Sequence, residues 1–137
     1  MPKRKVFNCT EVFISAVIVG ALTLAGFLNY KGYVKEAMIV EGKTLASSVA
    51  RLEKVYYAVN GHFLKIGSKN NKISYDKTLG IDAGYNSYFK HFYVEVPGRY
   101  RSGFSVVAVY DSQNGNDISV KLHGFFDKPG TYETDLQ

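Results

Sequence analysis

Cys9 is the only cysteine in 137 residues, and tryptophan is absent. A lone cysteine excludes an internal disulfide. Small exported domains often depend on such staples, so this chain has to rest on a sheet packed against a helix. Its length allows one globular domain at most. Charge is also missing, and in one place: residues 12–28 contain no Asp, Glu, Lys or Arg. That gap separates an anchor from a soluble part. In place of Trp the chain carries 11 Tyr and 9 Phe, a composition that suits a small β domain with polar-tipped rings at its surface.

The signs of catalysis are missing as well. His62, His91 and His123 are widely spaced, without metal-ligand spacing. No serine sits in a nucleophile elbow, and no Gly-rich phosphate loop follows a strand. The expectation is a protein with no catalytic role and no cofactor. Asp111, Asn114, Asn116 and Asp117 carry oxygens that suit calcium, but the same residue types are the ordinary ones of hairpin turns, and the turn reading is preferred. Cys9 is read as a small apolar filler rather than a reactive thiol.

What is present begins with charge. The formal net charge is +5. Lys3, Arg4 and Lys5 precede the uncharged run and Lys31 follows it. The first three read as a cytoplasmic retention signal, leaving the C-terminal part on the far side of a membrane. At 1.5 Å per residue, residues 12–28 span roughly 26 Å, just enough for a hydrocarbon core. Gly20 and Gly26 each weaken a helix in water by about 1 kcal/mol, yet in a membrane or filament core small residues permit close helix approach.

The helical pattern does not stop there. Val34, Ala37, Met38, Leu45, Val49, Leu52, Val55 and Tyr56 recur mostly at three- and four-residue steps, and polar residues including Lys43, Ser48, Glu53 and Lys54 are assigned to the other faces. Asn60-Gly61 is a strong C-cap signal. A continuous helix over 8–60 would be on the order of 75–80 Å long. Beyond it the chain is turn-rich, with a short strand expected at 73–75 and stronger ones at 88–96, 103–110 and 118–126. Asn114-Gly115 marks a hairpin. The expected fold class is α+β: a long N-terminal helix, hydrophobic in its first half, packed on a three- or four-stranded antiparallel sheet. The expected division is a basic leader-like segment at 1–6, a hydrophobic helix at 7–34, and a globular part at 35–137.

Glu11 stands at the threshold of the uncharged run and has two readings. Asn8-Cys9-Thr10-Glu11 fits a capping box, which would leave Glu11 at the membrane interface. Alternatively its charge is paired inside an apolar environment, where an unpaired carboxylate costs several kcal/mol.

The series basic leader, Phe7, Glu11, long apolar helix with Gly20, then Tyr30 and Tyr33 resembles the N-terminus of type IV pilins and pseudopilins. The likeness covers about 30 residues. It implies cleavage between Val6 and Phe7, methylation of the new amine, and pairing of Glu11 with the terminal amine of a neighbouring subunit. It also implies as partners further copies of the chain or other pilins in a helical filament, the inner membrane before assembly, and a prepilin peptidase with its assembly machinery. Localisation would be the inner membrane, N-terminus cytoplasmic, then an extracellular pilus or periplasmic filament. The chain departs from the family pattern at Val6, where Gly is usual, at Asn8 to Thr10, where apolar residues are usual, and at Leu28, where Pro often bends the helix. The C-terminal disulfide loop of many pilins is absent.

Two other readings are kept: a membrane-anchored binding module that never polymerises, which Val6 favours, and a secreted protein cut after Ala25, which Glu11 and the continuing helix argue against. Lys90, Arg99, Arg101 and Lys121, with Lys128 and Tyr88, Tyr93 and Tyr100 nearby, would form a basic aromatic surface suited to nucleic acid. Strand edges guarded by cations account for the same residues.

Overall fold

The computed structural model describes residues 8–97, 103–112, 117–125 and 130–136. Its order is α1 (Cys9–Asn60), β1 (Tyr75–Asp76), β2 (Ile81–Asp82), β3 (His91–Glu95), β4 (Phe104–Tyr110), β5 (Ile118–Gly124) and β6 (Thr131–Leu136). The fold is α+β. The chain divides into two compact units, Met1–Glu36 and Ala37–Gln137, and α1 contributes to both.

In the first unit the helix starts at Asn8, whose carbonyl accepts the N–H groups of Glu11 (2.9 Å) and Val12 (3.3 Å). The Glu11 carboxylate turns back to accept the Asn8 N–H at 3.3 Å. That is the reach-back half of a capping box, and it satisfies a donor that a helix N-terminus leaves without a partner. Ser15 donates to the Glu11 carbonyl at 2.8 Å and Thr23 to the Val19 carbonyl at 2.7 Å. Both hydroxyls of the uncharged run therefore find partners inside the helix itself.

In the second unit α1 presents Leu45, Ala46, Val49 and Ala50 to the core, all buried. The steps of three and four that link them put one stripe of the helix against the sheet. The sheet runs β3-β4-β5-β6, antiparallel throughout. Phe92 pairs with Ala108, and Ala108 with Val120; Val94 pairs with Val106, and Val106 with Leu122. These residues and Phe104 fill the helix-facing side. The alternate positions Tyr93, Val107 and Val109 form a small second cluster on the opposite face, so β4 is buried on both sides.

Gly42 marks the tightest approach of α1. A Cβ there would lie 2.9 Å from the Phe89 ring and from Val120. At the far end, Gly61 has φ 75° and its N–H bonds the Tyr57 carbonyl at 2.7 Å, a left-handed C-cap that glycine adopts without strain.

The strands differ from expectation in three places. The short strand expected at 73–75 is Tyr75–Asp76, paired with Ile81–Asp82 in a separate two-stranded sheet, and Ile73 makes only an isolated bridge to Phe92. β3 begins later than residue 88 because the Tyr88 and Phe89 N–H groups bond a helix carboxylate instead of a strand. β6 was not expected. Its sequence, TYETDL, carries two acids, and its side chains from Thr131 to Asp135 are exposed, so it lacks the apolar alternation that marks half-buried strands. The Asn114-Gly115 turn lies outside the described residues.

Candidate functional site

In the first unit, no residue from Asn8 to Tyr33 is buried. Val12, Phe13, Ile14, Val17, Ile18, Val19, Leu22, Leu24, Phe27 and Leu28 are all more than half exposed. The helix is long and apolar enough to cross a membrane. Gly20 and Gly26 open onto empty space, with nothing within 4 Å of a Cβ at either. After the uncharged run, the Lys31 ammonium lies 5.1 Å from the centre of the Phe27 ring, and Tyr30 and Tyr33 are exposed. An apolar stretch ending in Tyr and Lys matches the chemistry of a membrane–water boundary, where polar-tipped rings and long cations reach for water. Glu11 is exposed at the opposite end, in the first helical turn. Val6 and Phe7 lie outside the described residues.

The second unit offers polar groups on the outer face of its sheet. Lys72 forms a close ion pair with Asp111 and a longer one with Asp117 (3.6 Å), and His91 Nδ1 lies 3.1 Å from Asp111. The Asp111 contact, reinforced by both acids' fields and opposed by partial desolvation, raises the Lys72 pKa. Asp111 and Asp117 are thus engaged by a lysine. Asn114 and Asn116, the other oxygen donors considered for calcium, lie outside the described residues. Among those described, no three His, Cys, Asp or Glu side chains gather around a metal position.

Of the basic aromatic surface, Arg99, Arg101, Tyr100 and Lys128 lie outside the described residues. Lys90 is exposed. Lys121 faces Glu95 at 3.8 Å, and Tyr93 is buried, with burial and then the Glu95 field raising its phenol pKa. The described members therefore do not assemble an open cationic platform: one cation has an acid beside it and one ring is inside.

Sequence reasoning passed over three features. The first is a hydrogen-bonded chain across three strands. Ser105 Oγ and His123 Nδ1 are 3.0 Å apart, and His123 Nε2 is 3.2 Å from Glu133 Oε2. The carboxylate favours the tautomer with the proton on Nε2, which leaves Nδ1 to accept from the serine. Ser105 and His123 are direct cross-strand partners and line a shallow groove of about 560 Å³ with Lys65, Val96 and Pro97. Acyl transfer also needs fixed donors for a developing oxyanion. Among the described residues, Ser105 and His123 are paired within the β4–β5 ladder, and Lys121 on the groove wall is turned to Glu95. The chain of bonds links β4, β5 and β6 side by side. The residues are eighteen and ten positions apart in sequence, so only the strand pairing reveals them.

The second and third features are glutamates on α1. Glu41 Oε1 accepts the Tyr88 and Phe89 N–H groups at 2.8 and 3.0 Å, one carboxylate oxygen holding the entry to β3. Glu53, assigned from the sequence to a polar face, is wholly buried, while Val55, assigned to the apolar stripe, is 60% exposed. Glu53 Oε2 accepts the Leu64 N–H at 3.0 Å, and its Oε1 has no partner among the described residues. Burial pushes its pKa up to about 7 against the Leu64 bond, and the Asp76 charge adds to the rise. The signal was present: 41, 45, 49 and 53 share one helix face at four-residue steps.

Comparison with protein-family models, with curated proteins and with solved structures yields no match.

Proposed function

We propose that this chain is a non-catalytic structural subunit of a type IV pilus or related secretion-type filament, stored in the inner membrane and assembled through its N-terminal helix. The observation that carries the reading is the apolar helix over residues 12–28, uncharged and exposed among the described residues. Moving its ten large apolar side chains out of water is worth on the order of 20 kcal/mol. Holding Glu11 near the apolar boundary costs several kcal/mol. Burial therefore wins by a wide margin, either in lipid or among neighbouring helices.

Assembly exchanges lipid contacts for helix contacts, with Gly20 and Gly26 allowing close approach. Glu11 then neutralises the terminal amine that cleavage before Phe7 would create on a neighbour, which fixes the axial register. The sheet unit faces solvent and carries whatever surface specificity the filament has. Replacing Glu11 by Ala tests the mechanism. The variant should still fractionate with membranes and should be absent from filaments sheared off the cell surface. Normal incorporation of the variant would remove Glu11 from assembly.

A second reading is a membrane-anchored module that does not polymerise. Two observations favour it: Val6 precedes Phe7 where a small residue is usual, and the Glu11 carboxylate already has a local donor in the Asn8 N–H. On that reading Glu11→Ala changes neither membrane retention nor any filament.

A further inference from the structure

Glu53 is a buried acid that no described residue pairs with an opposite charge. Its stretch of α1 is otherwise apolar on the inner side, through Leu45, Ala46, Val49 and Ala50. Among the described residues no ion pair includes it, and Oε1 is unpartnered. Its one bond, to the Leu64 N–H, reaches the segment that leaves the helix. That segment is held by rings as well: Tyr57 stacks on Phe63 at 4.5 Å, and Phe63 meets Phe104 at 4.7 Å. The charged group that acts on Glu53 from the neighbouring hairpin is Asp76 of β1, another acid, whose Oδ1 caps the Leu79 N–H at 2.8 Å. Among the described residues, the one influence that favours an anion at position 53 is the Leu64 amide.

We propose that Glu53 is a proton-operated latch between the end of α1 and residues 61–65: protonated, it keeps that segment seated on the core, and loss of the proton to water releases it. A neutral carboxyl with one idle oxygen is a tolerable guest in a core, whereas an unpaired carboxylate is not. Ionisation therefore favours the opened form, in which the group reaches water.

The direction follows from linkage. The seated group titrates near 7 and the free group near 4.5, so the seated form binds more protons between those values. The latch holds fully below the free value, weakens as pH rises, and is loosest above the seated value. Between about pH 5.5 and about pH 8.5 the opening equilibrium should rise about 30-fold.

Hydrogen exchange at the Leu64 amide reads that opening. It is measured on the full chain in detergent micelles, normalised to the intrinsic rate at each pH, for wild type and Glu53→Gln. The expected result is about a 30-fold loss of protection in wild type across that range and none in the variant, whose amide cannot ionise. Equal wild-type protection at both pH values overturns the latch, and so does an identical loss in both proteins. Should Glu53→Gln misfold, a carbon-13 titration of the Glu53 carboxyl in wild type decides: a midpoint near 7 supports the latch, and one near 4.5 ends it.

Discussion

One helix meets two environments. From Ala37 to Asn60, α1 buries Gly42, Leu45, Ala46, Val49, Ala50 and Glu53; from Cys9 to Glu36 it buries nothing. The backbone is the same in both stretches, and only the side-chain pattern differs. The second stretch keeps its apolar residues on a stripe and finds a sheet to cover them. The first is apolar all round, which no single sheet face could cover, and it fits a solvent of lipid or a sheath of other helices. Amphipathicity is thus a statement about how many sides of a helix have a partner.

Placing a charge in each half breaks the comparison most sharply. Val49→Asp puts an unpaired carboxylate in the core and should cost more than about 4 kcal/mol, enough to unfold the sheet unit, as loss of cooperative thermal unfolding would record. Val17→Asp should leave that unfolding untouched and instead weaken membrane retention, by about 2.5–3.5 kcal/mol on insertion scales, scored by membrane fractionation.

Removing an ionisable group follows in size. Glu53→Gln should stabilise the sheet unit by up to about 3 kcal/mol above pH 7 and by little below pH 4.5, since the raised pKa penalises only the ionised form. Urea unfolding at the two extremes checks the sign. Next come the glycines. Gly42→Ala must displace both the Phe89 ring and Val120 and should cost about 1–3 kcal/mol in the same assay. Gly20→Ala meets empty space in the isolated subunit, should leave its stability unchanged, and should lower filament yield if close helix packing matters there. The smallest effect belongs to the outer face. Asp111→Asn should cost about 1 kcal/mol or less and lose that cost in high salt, because the Lys72 pair is partly exposed and screened.

Most of the architecture was legible. The recurrence of apolar positions and Asn60-Gly61 placed α1 within a residue at each end, and the turn-bounded runs at 88–96, 103–110 and 118–126 located the cores of β3, β4 and β5. β6 was hidden because an exposed edge strand needs no apolar face: Glu133 and Asp135 break any apolar alternation, although charged edges protect sheets. The separate β1–β2 pair was too short for any periodicity. Glu53 was misplaced because polarity outweighed position in the reading, while its stripe said core. The Ser105–His123–Glu133 chain depends on register, and register emerges only when strands pair. For the first unit, the uncharged run was plain in the sequence, and the structure shows the reach-back bond of the capping box read at Asn8-Cys9-Thr10-Glu11.

The most direct test of the filament reading is the intact mass of the native protein recovered from surface filaments by shearing. The account predicts a mass lacking residues 1–6, with Phe7 at the N-terminus and the added mass of one methyl group. A full-length mass, found only in the membrane fraction, would contradict it and leave an anchored domain that does not polymerise.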